Sequence, residues 1–174
     1  KKIYFSTNFY NNSLKSKTPQ QFYFHPNPFL LSSITNYKKY SFKISEIDPN
    51  VFWLNKKNTW EEKELHGFLW LNLIDRKNDG KSLQKIIYIW MMKYSKYKRS
   101  VWENSILSKR IISWILNVDI ILNTGTFYFK KSFLNSIISQ TNHLKKNIYF
   151  EKNYSKKLEI ITALILSGLV FKEY

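Results

Sequence analysis

The side chains best suited to acid–base or metal chemistry are scattered along this chain. Its three histidines, His25, His66 and His143, form neither an HExxH motif nor an i, i+4 pair, the spacings that place two imidazoles on one metal ion. Asp75 and Asp79 flank a turn that lacks the further oxygen ligands of a calcium loop. The chain has no cysteine and only four isolated glycines, which excludes a thiol nucleophile and a phosphate-binding glycine loop. We therefore predict no metal site and no cofactor, and assign no catalytic residue.

Aromatic side chains are the second group with functional potential, since 18% of the residues are Phe, Trp or Tyr and six are tryptophan. In a helical protein most tryptophans fill the core, and Trp90 and Trp114 lie on apolar stripes that predict this position. The alternative is a sugar-binding surface, where indole rings stack on pyranose rings and Lys or Arg pairs with carboxylates or sulfates.

The net charge favours an acidic partner without identifying one. Lys and Arg total 28 against 12 Asp and Glu, which gives a formal net charge of +16, and such a surface attracts polyanions. Only three of the basic residues are arginine, however, and the excess of Lys, Asn and Ile is also what A/T-rich codons produce. Scattered lysines without a nucleic-acid-binding motif are typical of a solvated surface. We expect no nucleic-acid partner, although a basic nucleic-acid-associated helical protein remains the least favoured alternative.

No segment is typical of a membrane span or a signal peptide. The best candidate for a span, residues 160–171, is shorter than the roughly 18 residues that a spanning helix needs. Residues 1–5 have a basic start but no apolar stretch ending in small residues. Because the chain starts without Met and stops within a helical pattern, we expect a fragment, and its compartment, cytoplasmic or periplasmic, stays open. Its oligomeric state stays open.

The distribution of proline divides the chain into two parts. All four prolines lie within the first 49 residues, and each disfavours helix at the residue before it. Residues 1–50 are therefore predicted to form an irregular, extended N-terminal arm anchored by the aromatic residues of 22–28. Alternation at 40–44 is typical of a short strand. Residues 51–174 are predicted to form a helical domain.

The helical domain is predicted from apolar residues that recur at steps of three and four, the pattern of an amphipathic helix. Five such stripes occupy residues 65–74, 83–94, 107–121, 133–148 and 158–168. Turn-forming residues separate them. Short connections between helices of similar length favour antiparallel neighbours, and the absence of strand–helix alternation excludes a doubly wound sheet. The predicted fold class is all-α.

Several motifs resemble, in order and spacing, those of bacterial heparinase II/III-like proteins. Residues 65–71 read Leu-His-Gly-Phe-Leu-Trp-Leu, which is similar to the family's Leu-His-Gly-Phe-x-Trp-Leu. Trp102 and then residues 110–114 match its tryptophan followed by Arg-(Ile/Leu)-x-x-Trp. Residues 140–144 resemble its Gln-x-x-x-Leu, and residues 163–171 its closing Ala-Leu-x-x-x-Gly-Leu-x-Phe.

The resemblance implies the N-terminal part of an (α/α) toroid, a ring of antiparallel helix pairs that precedes a β-sandwich in full-length relatives. Such lyases cleave uronate-containing acidic polysaccharides by β-elimination. An Asn neutralises the sugar carboxylate, a Tyr or His removes the C5 proton, and a Tyr protonates the leaving oxygen. The implied function is the toroid segment of such a lyase. The alternative is a non-catalytic relative that binds acidic glycans.

The resemblance also implies a substrate cleft at one end of the helical ring. The matching substrate-binding candidates are His66, Trp70, Arg110, Ser155 and Lys156. Arg110 is expected to bind a carboxylate bidentately, or alternatively to hold a helix end or Asp119 as a structural residue.

Ser155 and Lys156 align with the family's Asn-His pair, and Asn142-His143 has those residue types one helix earlier. Lys156 by its charge and Ser155 by a hydrogen bond could neutralise a carboxylate. The alternative for Lys156 is a solvated lysine at a helix start.

Overall fold

The protein is seen here in a computed structural model that describes residues 2–27, 30, 44, 48–53, 59–74, 76–77, 79–123 and 125–171. Within these ranges the chain forms nine α-helices and no β-strand, which confirms the predicted all-α class. The helices are α1 (Lys2–Phe5), α2 (Asn8–Ser13), α3 (Pro49–Phe52), α4 (Thr59–Gly67), α5 (Gly80–Tyr94), α6 (Asn104–Leu116), α7 (Val118–Leu122), α8 (Phe127–Asn147) and α9 (Tyr154–Val170). Except for Ile44, the strand predicted at 40–44 lies outside the described residues.

The N-terminal arm differs from its prediction. Its first residues form α1 and α2, and the side chain of Thr7 caps α2 by accepting a hydrogen bond from the backbone N–H of Tyr10. Helix is possible here because no proline precedes Pro19. From residue 15 to residue 27 the chain has no regular element, as the X-Pro steps predict. There the backbone N–H of Tyr23 donates to the carbonyl of Val170, which ties the arm to the end of α9.

The five predicted stripes coincide with helices, but two are interrupted. The stripe 65–74 leaves α4 at Phe68, whose φ of 58° lies in the left-handed region, and continues as a 3₁₀ helix over Leu69–Leu73. The stripe 107–121 breaks at Asn117, between α6 and α7. There the Asn117 amide donates to the carbonyl of Ser113, a local bond that competes with continued helix.

Three helices run in the same direction from a shared starting point. Glu103, just before α6, pairs with Lys63 of α4 at 3.1 Å and with Lys156 of α9 at 2.9 Å. Ten residues further along α6, the Ser113 hydroxyl donates to the carbonyl of Phe68, just past the end of α4. Helices α6 and α9 form the most extensive helix contact among the described residues. This end of the molecule, where α4, α6 and α9 begin, is called the Glu103 end below.

Helix α8 runs in the opposite direction to α6. Arg110 of α6 bonds Gln140 of α8, and one turn later Trp114 packs on Phe133, so residue numbers rise along α6 while they fall along α8. Helix α5 is antiparallel to α6 by the same reasoning, because Trp90 packs on Trp114 and the end of α5 meets the segment before α6. The longer helices therefore alternate in direction along the chain.

The core is aromatic, as the stripes predict. Trp90 and Trp114 are fully buried and meet edge to face at 5.2 Å, with Phe68 and Phe133 packed against Trp114. Both tryptophans are therefore core residues, as expected. Among the described helices none is long and apolar enough to cross a membrane.

Candidate functional site

Arg110 lies in the middle of the protein, with none of its surface exposed. Its Nε donates to Oε1 of Gln140 at 2.6 Å, and its Nη1 donates to the carbonyls of His66 and Val101 at 2.9 and 3.2 Å. The guanidinium also lies 4.3 Å from the ring centroid of Trp90, where the negative ring face attracts a cation. Arg110 thus joins α4, α6 and α8.

This position contradicts the predicted carboxylate-binding role of Arg110, because a buried guanidinium whose donors are already used cannot meet a polysaccharide. Of the two roles weighed from the sequence, the structural one fits. Its partners are carbonyls and an amide, whereas Asp119 pairs with His25 at 2.7 Å. Burial without a carboxylate lowers the pKa of Arg110 well below its usual value.

His66 and Trp70 are also held by internal contacts. His66 is buried, stacks on Trp53 at 5.4 Å, and accepts a hydrogen bond at Nδ1 from Nε1 of Trp90. Trp70 is half-buried and donates from Nε1 to the carbonyl of Leu65. Both positions favour packing over substrate contact for these two predicted binding residues.

Ser155 and Lys156 lie in the first turn of α9, at the Glu103 end. Ser155 is exposed, and Lys156 is partly exposed with its Nζ 2.9 Å from Oε1 of Glu103. This hydrogen bond raises the pKa of Lys156 and, together with the one from Lys63, lowers the pKa of Glu103. Lys156 is therefore reachable from solvent, but its charge is shared with a carboxylate.

The sequence analysis missed a chain of polar groups that joins the arm to α8. The Tyr10 hydroxyl lies 2.8 Å from Nδ1 of His143, and Nδ2 of Asn147 donates to the Tyr10 oxygen at 3.3 Å. Asn147 also donates to the carbonyl of His143 at 2.8 Å. These three side chains are buried. We call them the Tyr10–His143–Asn147 triad.

Burial fixes the protonation of the triad. Desolvation lowers the pKa of His143 to about 4, with smaller contributions from the charges of Arg110 and Lys146, and desolvation raises the pKa of Tyr10 to about 12. Tyr10 is therefore a neutral phenol and His143 a neutral imidazole at pH 7. When the Tyr10 hydroxyl donates its proton to Nδ1, the hydrogen of the neutral imidazole lies on Nε2.

His143 and Asn147 line a groove of about 880 Å³ at the Glu103 end. The segment between α5 and α6 also lines it and carries the exposed cations Lys98 and Arg99. Neither cation has an ion-pair partner among the described residues. The groove thus combines the neutral imidazole of His143 with two positive charges, which is chemistry suited to an anion. We call it the His143 groove.

Known proteins offer no guide here. Neither a family model, nor a curated protein, nor a solved structure matches this chain. The function must therefore be argued from the groove itself.

The described residues contain no group of three or more His, Cys, Asp and Glu side chains that could hold a metal ion. None of the five binding residues predicted from the sequence lines the His143 groove, and Lys156 meets it through Glu103. The sequence feature that points to the groove is the pair Asn142-His143. Its histidine is hydrogen-bonded to the tyrosine of the arm.

Proposed function

We propose that this chain binds uronate-containing acidic polysaccharide in the His143 groove, as the helical part of a polysaccharide-lyase-like protein. The single observation that carries the proposal is the triad, whose neutral imidazole lines a groove bearing Lys98 and Arg99 and is a hydrogen-bond donor at Nε2 in the tautomer in which Tyr10 donates to Nδ1. A sugar carboxylate accepts from such a donor and is attracted by both cations.

The position of the groove agrees with the toroid resemblance. Helices α4, α6 and α9 run in one direction and α5 and α8 in the other, as the inner and outer helices of a toroid do. The groove lies at one end of these helices, the location that the resemblance implies for the substrate. Lys156 lies at the same end and is hydrogen-bonded to Glu103, which lines the groove.

The groove provides carboxylate neutralisation and proton donors but no free base. Burial raises the pKa of Tyr97, which keeps this groove residue protonated, and Nε2 of His143 already carries a hydrogen. Glu103 is neutralised by two lysines. β-Elimination would need a further group to remove the C5 proton, so we expect this chain alone to bind the polysaccharide without cleaving it.

A calorimetric titration with a uronate oligosaccharide tests the proposal. The double variant Lys98→Ala/Arg99→Ala should weaken binding by about tenfold or more, since two charge-assisted contacts are lost. The matched control is Lys93→Ala/Lys131→Ala, which removes the same charge from exposed positions outside the groove and should change affinity by less than about threefold because distant charges are screened.

Three results would argue against this function. Equal weakening by the two double variants would mean that only net charge matters. Equal affinity for a neutral glucan of the same length would remove the role of the carboxylate. Formation of the unsaturated uronate product, followed by its ultraviolet absorbance, would show that the chain contains a base and acts as a lyase by itself.

A further inference from the structure

Helix α9 is apolar on two opposite faces. One face is buried against the rest of the protein and carries Ile160, Ala163, Ser167 and Val170. At 100° per residue, a second set of large side chains lies on the other side within a narrow arc. Its members are Tyr154, Leu158, Ile161, Ile165 and Leu169, whose exposed fractions run from 36% to 85%. We call this set the α9 stripe.

A helix that is apolar all round is normally covered all round. Helix α6 follows this rule, because every residue from Ile106 to Leu116 except Lys109 is buried. Helix α9 is covered on one side only, within the described part of the chain. Exposed stripes of this kind mark interaction surfaces.

We propose that the α9 stripe is an interface with a second copy of this chain, in which the two α9 helices pack antiparallel about a twofold axis. The spacing of the stripe is self-complementary. Pairing Tyr154 with the partner copy's position 169 also pairs Leu158 with position 165, and it places Ile161 at the axis. An isologous contact of this kind, with the same patch on both copies, is the commonest form of oligomer.

The charge distribution favours this arrangement. The basic residues of α9 lie in its first turn, and residues 160–171 contain no charged side chain. In an antiparallel pair each basic end meets the uncharged C-terminal end of the other helix, where the helix dipole attracts a cation. The two basic ends are then about 15 Å apart along the helix axes, given the helical rise of 1.5 Å per residue, and beyond the Debye length of about 8 Å.

The exposed apolar area is large enough for a dimer interface. Tyr149 and Phe150, which precede α9, are also exposed and bring the number of exposed large apolar side chains from 149 to 169 to seven. The three aromatic members bury about 150–250 Å² each when fully covered, and leucine and isoleucine bury less. Partial exposure of seven leaves roughly 800 Å², which is what each partner contributes to a standard interface.

Sedimentation of the whole chain tests the proposal. We expect a dimer at micromolar concentration, strengthened by salt because screening reduces the repulsion between two copies of charge +16. Ile165→Glu should make the chain monomeric with an unchanged circular dichroism spectrum. Tyr128→Glu, which places the same charge at an exposed aromatic position of α8, should remain dimeric.

Cysteine crosslinking tests the orientation, and the absence of natural cysteine leaves no background. Thr162→Cys lies next to the twofold axis and should form an intermolecular disulfide on mild oxidation. Ser155→Cys lies at the end of the helix, far from its symmetry mate, and should not. A monomer at high concentration, dimerisation unaffected by Ile165→Glu, or crosslinking through Ser155→Cys in preference to Thr162→Cys would each overturn the proposed interface.

Discussion

His66 and His143 occupy two sites that are chemically alike and differ in what lies beyond them. Each imidazole is buried and hydrogen-bonded at Nδ1: His66 accepts from Nε1 of Trp90 at 3.0 Å, and Nδ1 of His143 lies 2.8 Å from the Tyr10 hydroxyl. Desolvation, assisted by the charge of Arg110, lowers the pKa of His66 to about 3 and that of His143 to about 4.

The two imidazoles differ in the residues that surround them. His66 is packed between Trp53, Trp90 and Tyr94, and its Nε2 lies 3.9 Å from the carboxylate of Glu62. His143 lines a groove that also bears Lys98 and Arg99. The neutral imidazole of His66 thus lies beside a carboxylate, whereas we propose that the one of His143 meets an anionic ligand. Burial alone does not make a histidine structural; what matters is whether a ring nitrogen can still meet a ligand.

Removing the cation between the two histidines should have the largest effect on stability. Arg110→Met leaves the carbonyls of His66 and Val101 and the Gln140 amide oxygen without their donor, and each buried unsatisfied acceptor costs about 1 kcal/mol or more. We expect the free energy of unfolding to fall by about 3 kcal/mol in denaturant titrations. Lys109→Met, which loses only a partly exposed ion pair, should cost less than about 1 kcal/mol. Equal losses would mean that Arg110 does not hold the helices together.

Acid should destabilise the protein through both histidines. Each is neutral when folded, with its pKa lowered to about 3 or about 4, whereas an unfolded histidine binds a proton below pH of about 6.5. Their contribution to stability is therefore complete above pH 6.5 and is lost as pH falls towards 4, by about 1.4 kcal/mol per pH unit for each histidine. Unfolding titrations between pH 7 and 4.5 measure this slope, which should become shallower in His66→Gln and in His143→Gln. A slope unchanged in both variants would contradict the buried neutral state.

Glycan binding should depend on His143 and not on His66. His143→Gln replaces the imidazole that lines the groove and should weaken binding of a uronate oligosaccharide by about tenfold, the equivalent of one hydrogen bond of about 1.4 kcal/mol to a charged group. His66→Gln should leave affinity unchanged at a temperature where both variants are folded. If His66→Gln weakens binding as much as His143→Gln does, the contrast between the closed and the open site is wrong.

The smallest effect is expected at the edge of the groove. Lys156→Ala removes a partly exposed ion pair with Glu103, which should change stability by about 0.2–1 kcal/mol. Glu103 keeps Lys63 as a partner, so the charge of the groove changes little and affinity should fall by less than about threefold. Thermal unfolding measures the change in stability, and the same glycan titration measures the change in affinity. A tenfold loss of affinity would instead make Lys156 a direct ligand of the carboxylate.

The all-α class and the position of the core could be read from the sequence, because both depend on local periodicity. Stripes repeating at three and four residues require helices with one buried face, and Trp90 and Trp114 lie on these stripes and in the core. The helix breaks at Phe68 and Asn117 could not be predicted from the sequence, because the apolar spacing continues across them although the backbone leaves the helix. The same applies to α1 and α2, which are too short for periodicity to reveal.

The candidate site depended on contacts between distant parts of the chain. Arg110 has the residue type of a carboxylate ligand, but only tertiary packing shows that its donors are used by carbonyls of two other segments. Tyr10 and His143 are separated by 133 residues, and no spacing rule connects an N-terminal arm to the last turns of α8. The sequence by itself therefore determined where the longer helices lie and that Trp90 and Trp114 are core. The tertiary structure decided which imidazole faces a groove, because that depends on which distant side chains enclose it.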